Sequence, residues 1–337
     1  MTRRPTIHDV AASAGVSKSL VSLALRGSPA VADTSKELIL KAAAELGYRP
    51  NAAARSLADR HSRTVGVLIL DLHNPVFAEI LDGVHSEVRL HGYNTLLVTG
   101  GVDPKLEESE LNKLLEFNVE GLVPISHRLP MPVLRRFAAE VPTVVVTRPD
   151  SVGPRIDTVS NDDTVGSGQA VQHLVSFGHR SIAHLSGGDN PVSLARQRGY
   201  LAAMTVAGLG SHTLVVGGGL TEAAGHAAAV ELLRRHPTCT AVTVANDLAA
   251  LGALAAAQEE GRTVPGDLSV VGYDGIALGA IRTLSLTTVA QPLAEIGTLA
   301  ARRLFSRIAA PRGRARHLGV AARLVARGST GPAPSRR

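Results

Sequence analysis

Residues 6–17 read TIHDVAASAGVS and residues 17–27 continue SKSLVSLALRG. In the first run Ile7, Val10, Ala11 and Ala14 fall at i, i+3, i+4 and i+7, the spacing of a helix with one buried face. Thr6 stands before it as an N-cap, and Asp9 completes a capping box three residues on. Gly15 supplies a tight turn. Ser17 caps a second short helix whose buried stripe is Leu20, Val21, Ala24 and Leu25, and Gly27 with Pro29 ends it. Two short helices joined by a glycine turn form the helix-turn-helix pattern. Lys18, Ser19 and Ser22 then stand on the exposed side of the second helix, the one that would enter a major groove. A third helix is expected after a cap at Asp33 or Thr34, with Leu38, Ala42 and Leu46 inward and Gly47 as its C′ residue.

After Pro50 comes the alanine-rich run Asn51-Ala52-Ala53-Ala54-Arg55-Ser56-Leu57. It favours helix by propensity but is too short to hold one alone. Such a segment suits a hinge (50–58) that orders on DNA, with Leu57 as a wedge for a minor-groove step. The alternatives are a helical bundle for protein contact and, for Leu57, packing on a partner hinge.

TIHDVAASAGVS and VADTSKELILKAAAELGYRPNAAARSL (31–57) together resemble the head of the lactose-repressor (LacI/GalR) family. The resemblance implies a hinge set of Tyr48, Asn51, Arg55 and Leu57 and operator-reading positions at Lys18, Ser19 and Leu23. The full DNA-contacting set expected is Thr6, Ser17, Lys18, Ser19, Ser22, Leu23, Tyr48, Asn51, Ala54, Arg55 and Leu57. Where the family usually carries arginine, Leu23 cannot donate to guanine and suits a thymine methyl instead.

From Thr64 onward apolar runs alternate with amphipathic stretches. The expected strands are 65–70, 94–99, 121–125, 143–147, 182–186, 213–217, 241–245 and 268–273. Helical patterns lie between them, for example 76–90, 105–117, 165–177, 195–207 and 248–260. Strand then helix, repeated, implies parallel sheets covered by helices. The run divides near residues 157–165, giving two doubly wound lobes. Ligands of such sheets bind beyond the C-terminal strand ends. The polar residues there are Asp71, Asn74, Arg148, the Asn161-Asp162-Asp163 run, Asn246, Asp247, Asp274 and Gln291, with Phe77 as an apolar wall. Such a cleft suits a ligand with many hydroxyls. Other readings stand beside this one: Asp247 capping the helix from Leu248, Asp162 or Asp163 capping the next, Asn74 opening a turn, and Arg196 in a salt bridge.

DLHNPVFAEILDGV (71–84), HLVSFGHRSIAHLSG (173–187), RQRGY (196–200), AVTVANDLAALGAL (241–254), LSVVGYDGIALGAI (268–281), LTTVAQP (286–292) and LVARGST (324–330) resemble the same family's sensor. The fold implied is an all-α helix-turn-helix head plus an α/β periplasmic-binding-protein-like sensor of two doubly wound parallel-sheet lobes. The effector contacts implied are Arg196, Asn246, Asp274 and Gln291, joined by Asp71, Phe77, Arg148 and Asp162. Crossings between lobes are implied near Asp162, Gln291 and Gly319. The expected domains are 1–61 and 62–337. Within the second, one lobe takes 62–161 and 292–319, the other 162–291 and 320–330, and a disordered tail follows from 331.

Composition bounds the rest. A chain of 337 residues needs two or three compact units. Aromatics are 3% and tryptophan is absent, so the core must be built from Ala, Val and Leu. The net charge of +6 divides into +4 for residues 1–62, −8 for 63–299 and +10 for 300–337, where ten arginines meet no acid. The basic head fits nucleic acid. The basic C-terminal stretch has no binding motif and reads as a solvated surface. One cysteine, Cys239, excludes an intrachain disulfide and a thiolate metal cluster. No signal-peptide core or membrane-length apolar run is present, so a cytoplasmic protein is expected.

No phosphate loop, HExxH pair or GxSxG elbow appears, so no metal, cofactor or enzymatic activity is expected. His179, in Gly178-His179-Arg180, reads as structural. A solute-binding protein would share the sensor but lack the DNA head, and a regulator answering to a protein partner or a non-sugar metabolite is the remaining alternative. The expectation is a homodimeric repressor on a pseudo-palindromic operator. A sugar or sugar derivative would close the lobes and couple to DNA through the hinge.

Overall fold

The computed structural model describes residues 5–49, 61–150 and 153–335. The chain forms two compact units, divided between Arg63 and Thr64.

The first unit contains α1 (Ile7–Ala14), α2 (Lys18–Leu25) and α3 (Asp33–Glu45). The Thr6/Asp9 capping box is formed, with the Thr6 amide donating to the Asp9 carboxylate at 2.6 Å. Ser17 caps α2 by accepting from the Leu20 amide at 3.2 Å. Gly15 and Gly47 both take the left-handed conformation at helix ends. Val10, Val21, Ala24, Val31, Ile39, Ala42 and Ala43 make the core. Two expectations for α3 change. Its N-cap is Ala32, with no side-chain cap, and Asp33 is the first helical residue. Its inward face is Ile39, Ala42 and Ala43, leaving Leu38 57% exposed. The face that meets Val10 and Val21 is centred one residue later than the 38/42/46 stripe, a rotation of about 100° for Leu38.

The second unit holds two six-stranded sheets. One has the order β11-β5-β4-β3-β1-β2, the other β12-β10-β9-β8-β6-β7. The first comprises β1 (Thr64–Ile69), β2 (Asn94–Thr99), β3 (Gly121–Ile125), β4 (Thr143–Val146), β5 (Ile156–Asn161) and β11 (His317–Val320). All its pairings are parallel. The second comprises β6 (Ile182–Leu185), β7 (Leu214–Val216), β8 (Ala241–Val244), β9 (Ser269–Asp274), β10 (Thr287–Ala290) and β12 (Arg323–Val325). Only β12 runs antiparallel there. Near-continuous runs such as GLVPI and AVTV are buried on both faces, as strands sandwiched between helices must be.

The first sheet is covered by α4 (Pro75–Leu90), α5 (Pro104–Glu116), α6 (Met131–Glu140) and α11 (Leu293–Ala309). The second is covered by α7 (Asp163–Ser176), α8 (Pro191–Val206), α9 (Glu222–Arg235) and α10 (Asp247–Glu259). The chain therefore crosses between lobes three times: after Asn161, after Ala290 and after Val320. α11 returns to the first lobe and packs on α4 so closely that a Cβ on Gly83 would lie 2.0 Å from the Ala294 carbonyl oxygen.

Two C-terminal expectations are corrected. Arg307 and Arg303 are not solvated. Both bind Asp157 of β5, which is fully buried, and the Arg316 amide donates to the same carboxylate at 2.6 Å. Burial pushes the Asp157 carboxyl up, but the bonds from Arg307, the Arg316 amide and Arg303 outweigh it and hold the carboxyl below its ordinary range. Nor is residue 331 the start of a loose tail: the Gly331 amide donates to Ser269, and the Ala333 amide to the Phe177 carbonyl. His179 is buried there, bonded to Thr240, Ser269 and the Gly331 carbonyl.

Candidate functional site

In the second unit a cleft of about 660 Å³, open mouth included, lies between the lobes beyond the C-terminal strand ends. Phe77, in the first turn of α4, gives the first lobe's apolar wall, and Asn74 caps α4 just ahead of it. Arg148, two residues after β4, is held by Asp150 at 2.8 Å through both Nε and Nη2, and Nη1 donates to the His127 carbonyl. Burial, then the Arg148 charge, pushes the His127 imidazole down to about 3, so it stays neutral.

The second lobe's wall centres on Arg196, projected from α8 and 5% exposed. Its Nε donates to Asp163 at 2.9 Å. Its Nη1 donates to the Ala245 carbonyl at 2.6 Å and lies 3.1 Å from Asp274. The guanidinium stacks on the Tyr273 ring, 3.7 Å from its centroid. Burial works against this charge, but Asp274 and Asp163 outweigh it and keep Arg196 protonated above its ordinary range. Gln291 donates to Asp274 at 2.7 Å, and its own Oε1 is buried without a hydrogen-bond partner among the described residues. Burial raises Asp274 to about 6, the nearby Arg196 pulling the other way. Behind it, burial and then the Asp274 charge raise Asp247 to about 7.

Asn246, and not Asp247, caps α10: its Oδ1 accepts from the Ala249 amide at 2.9 Å. Asp247 is wholly buried and accepts from the Gly275 and Ile276 amides and from Thr288. It anchors the turn after β9, where Asp274 sits at φ 119°. Ser126 and Thr147, hydrogen-bonded to each other on the first lobe's wall, also have positive φ, 55° and 63°. Such strain in non-glycine residues concentrates where a site over-determines the backbone.

Of the residues expected at the cleft, Phe77, Arg148, Arg196, Asn246, Asp274 and Gln291 line it; Asp71 and Asp162 do not. Asp71 closes a surface turn onto the His73 amide at 2.9 Å, a bond that holds its carboxyl low. Asp162 is an exposed N-cap whose carboxylate faces the Thr164 and Val165 amides, while its neighbours Asn161 and Asp163 face the cleft. Ser126, His127, Arg128, Thr147 and Asn190 also line it and were not anticipated. Ser126 and Thr147 each follow a strand by one residue, so the strand-end rule applied to every strand would have found them.

In the first unit, Ser17, Lys18 and Ser19 are exposed at the start of α2, whereas Thr6, Ser22 and Leu23 are half-buried. Tyr48 packs on the three-helix core. Asn51, Ala54, Arg55 and Leu57 lie outside the described residues.

A helix-turn-helix unit on the same chain as a two-lobed α/β unit with a polar interlobe cleft defines the class of ligand-responsive DNA-binding regulators. The family model for bacterial regulatory proteins of the lacI family matches residues 6–51, and that for a periplasmic binding protein-like domain matches residues 171–330. The HTH-type transcriptional regulator GntR of Escherichia coli K12 is 33% identical over 91% of this chain and 92% of its own. The structure of the lac repressor dimer bound to operator and the anti-inducer ONPF superposes with a TM-score of 0.86 at 26% identity, over 98% of this chain and 100% of that one. The complex of the transcriptional regulator CelR with cellobiose gives 0.72 at 32% identity, over 97% and 100%. The chain belongs to the lacI family of bacterial regulatory proteins. Among the described residues no helix is long and apolar enough to cross a membrane.

Proposed function

We propose that this regulator works in the cytoplasm as a homodimeric repressor, released or engaged by a small polyhydroxylated ligand, a sugar or sugar derivative, held in the interlobe cleft. Binding alone, with no catalytic step, is its action.

The observation that carries the ligand class is the pairing of Arg196 with Asp274 beside the unpartnered Gln291 Oε1. A hydroxyl both donates and accepts, so adjacent hydroxyls fit a wall that alternates guanidinium, carboxylate and amide. The proposed contacts are Arg196, Asp274, Gln291 and Asn246 from the second lobe, with Phe77 and Arg148 from the first. The relatives support this reading: CelR is seen with cellobiose, and the lac repressor with operator as a dimer. The DNA contacts proposed are Lys18, Ser19, Ser22 and Leu23 on α2, with Thr6 and Ser17 at the helix starts. A hinge of Tyr48, Asn51, Ala54, Arg55 and Leu57 completes them.

The test is calorimetric titration of the full chain with a panel of neutral mono- and disaccharides. Saturable heat with at least one sugar, abolished in Asp274→Ala, supports the reading. Silence across the panel favours a protein partner or a non-sugar metabolite.

A further inference from the structure

The arginines at 312, 314 and 316 take no part in the cleft. They occupy the loop between α11 and β11, Pro311-Arg312-Gly313-Arg314-Ala315-Arg316, and all three are exposed. The backbone of this loop is built from beneath. Arg307, itself buried, donates to the carbonyls of Gly313 at 3.4 Å and Arg314 at 3.2 Å, and Arg303 also donates to Arg314. The Arg316 amide is fixed on Asp157, and its carbonyl accepts from the Thr158 amide. The carbonyls of Gly313, Arg314 and Arg316 are thus satisfied from within the lobe. No carboxylate among the described residues pairs with the three outer guanidiniums, and residues 300–337 contain no acid.

The position of the loop in the sheet gives this charge a direction. All six strands of the first lobe are parallel, with Thr64 starting β1, Ile156 starting β5 and His317 starting β11. The arginine loop therefore lies at the strand-start end, opposite the end that opens on the cleft. The chain enters this unit at Thr64, at that same end. Fully extended, residues 49–64 reach no more than ~55 Å. Whatever duplex the first unit holds is tethered to this end of the lobe.

We propose that Arg312, Arg314 and Arg316 form a second, sequence-independent contact with the phosphate backbone of duplex DNA, outside the helix-turn-helix. The chemistry is charge neutralisation. Guanidiniums that have no carboxylate partner replace condensed counterions on phosphates, and the release of those counterions on binding favours the complex. Because the loop belongs to the sensor's own lobe, it ties the sensor to the duplex directly.

The inference rests on the DNA-binding reading, and one experiment separates the two. Full-length protein is titrated with a mixed-sequence duplex of about 40 base pairs at salt concentrations from ~50 to ~200 mM, and log K is plotted against log salt. The protein is compared with the combined variant Arg312→Ala, Arg314→Ala, Arg316→Ala and with the corresponding triple lysine variant. The alanine variant should flatten the slope by up to ~2.7 per chain, at ~0.9 for each phosphate no longer neutralised. The lysine variant should keep the wild-type slope, and both should melt at the wild-type temperature and bind effector as wild type does. An unchanged slope in the alanine variant overturns the second contact alone and leaves the arginines as solvated charge or as a surface for an acidic protein. A slope flattened equally by lysine also overturns it. Absence of any salt-sensitive duplex binding by the wild type overturns the DNA-binding reading as well.

Discussion

Replacing Asp274 by asparagine separates the folding role of this residue from its ligand role. The carboxyl is buried and raised from 3.8 to about 6, so the folded state retains its proton at a pH where the unfolded chain has released it. A raised folded value means that the associated stability is full below the unfolded pKa and is lost as pH rises through the folded one. The whole effect is ~3 kcal/mol at 1.36 kcal/mol per pH unit, of which ~1.4 kcal/mol falls between pH 5 and pH 8. Asparagine does not titrate, tolerates positive φ, and leaves Arg196 its bonds to Asp163 and the Ala245 carbonyl. Removing the Asp274 charge also removes the second cause of the raised Asp247 value. The stability of Asp274→Asn relative to wild type should therefore improve by at least ~1.4 kcal/mol on going from pH 5 to pH 8. Urea denaturation at both pH values measures this directly. A stability difference independent of pH would refute the electrostatic account of the cleft. Under the proposed function the same variant should lose its response to effector while holding DNA as wild type does; equal loss of both would remove Asp274 from the ligand role.

Three further outcomes are expected. Ser17→Ala deletes the cap on α2 and should cost ~1 kcal/mol in the first unit, weakening duplex binding with effector affinity unchanged, as amide exchange and titration would show. Arg307→Met strips the fully buried Asp157 of its best partner and should lower the denaturation free energy by ~3 kcal/mol, most of it regained in the double variant with Asp157→Leu; no regain would mean that the helix and strand, not the charges, were damaged. Leu57→Ala should weaken specific DNA binding without altering ligand affinity; unaltered affinity for a selected duplex would refute the wedge role.

The legible parts of this sequence were those whose physics is local. Caps such as Thr6 and Ser17 announce themselves by residue type at fixed offsets, and apolar runs such as residues 121–125 read as strands because both faces are buried. β5 did not: Ile156–Asn161 reads IDTVSN, with Asp157, Thr158, Ser160 and Asn161 all buried. Its polarity is tolerated because arginines about 150 residues away neutralise Asp157, a pairing that no local window contains. The same distant partnership turned Arg303 and Arg307 from apparent surface charge into core. In the cleft, the strand-end rule located Arg148, Asp274 and Gln291. It failed for Asp71 and Asp162, because an open amide at a turn or a helix start captures a neighbouring carboxylate before a ligand can. One residue of register decides what a polar residue after a strand serves: Asn246 caps α10 while lining the cleft, and Asp247, next to it, is buried and anchors the turn after β9.

The linkage between cleft and duplex within one molecule has a direct test. The affinity of full-length protein for a duplex recovered by selection is measured with and without a saturating sugar identified by the calorimetric panel, and the sugar affinity is measured with and without that duplex. Reciprocal changes by the same factor, in the range of about 5- to 150-fold, are the predicted result. Two affinities that ignore each other would contradict the account.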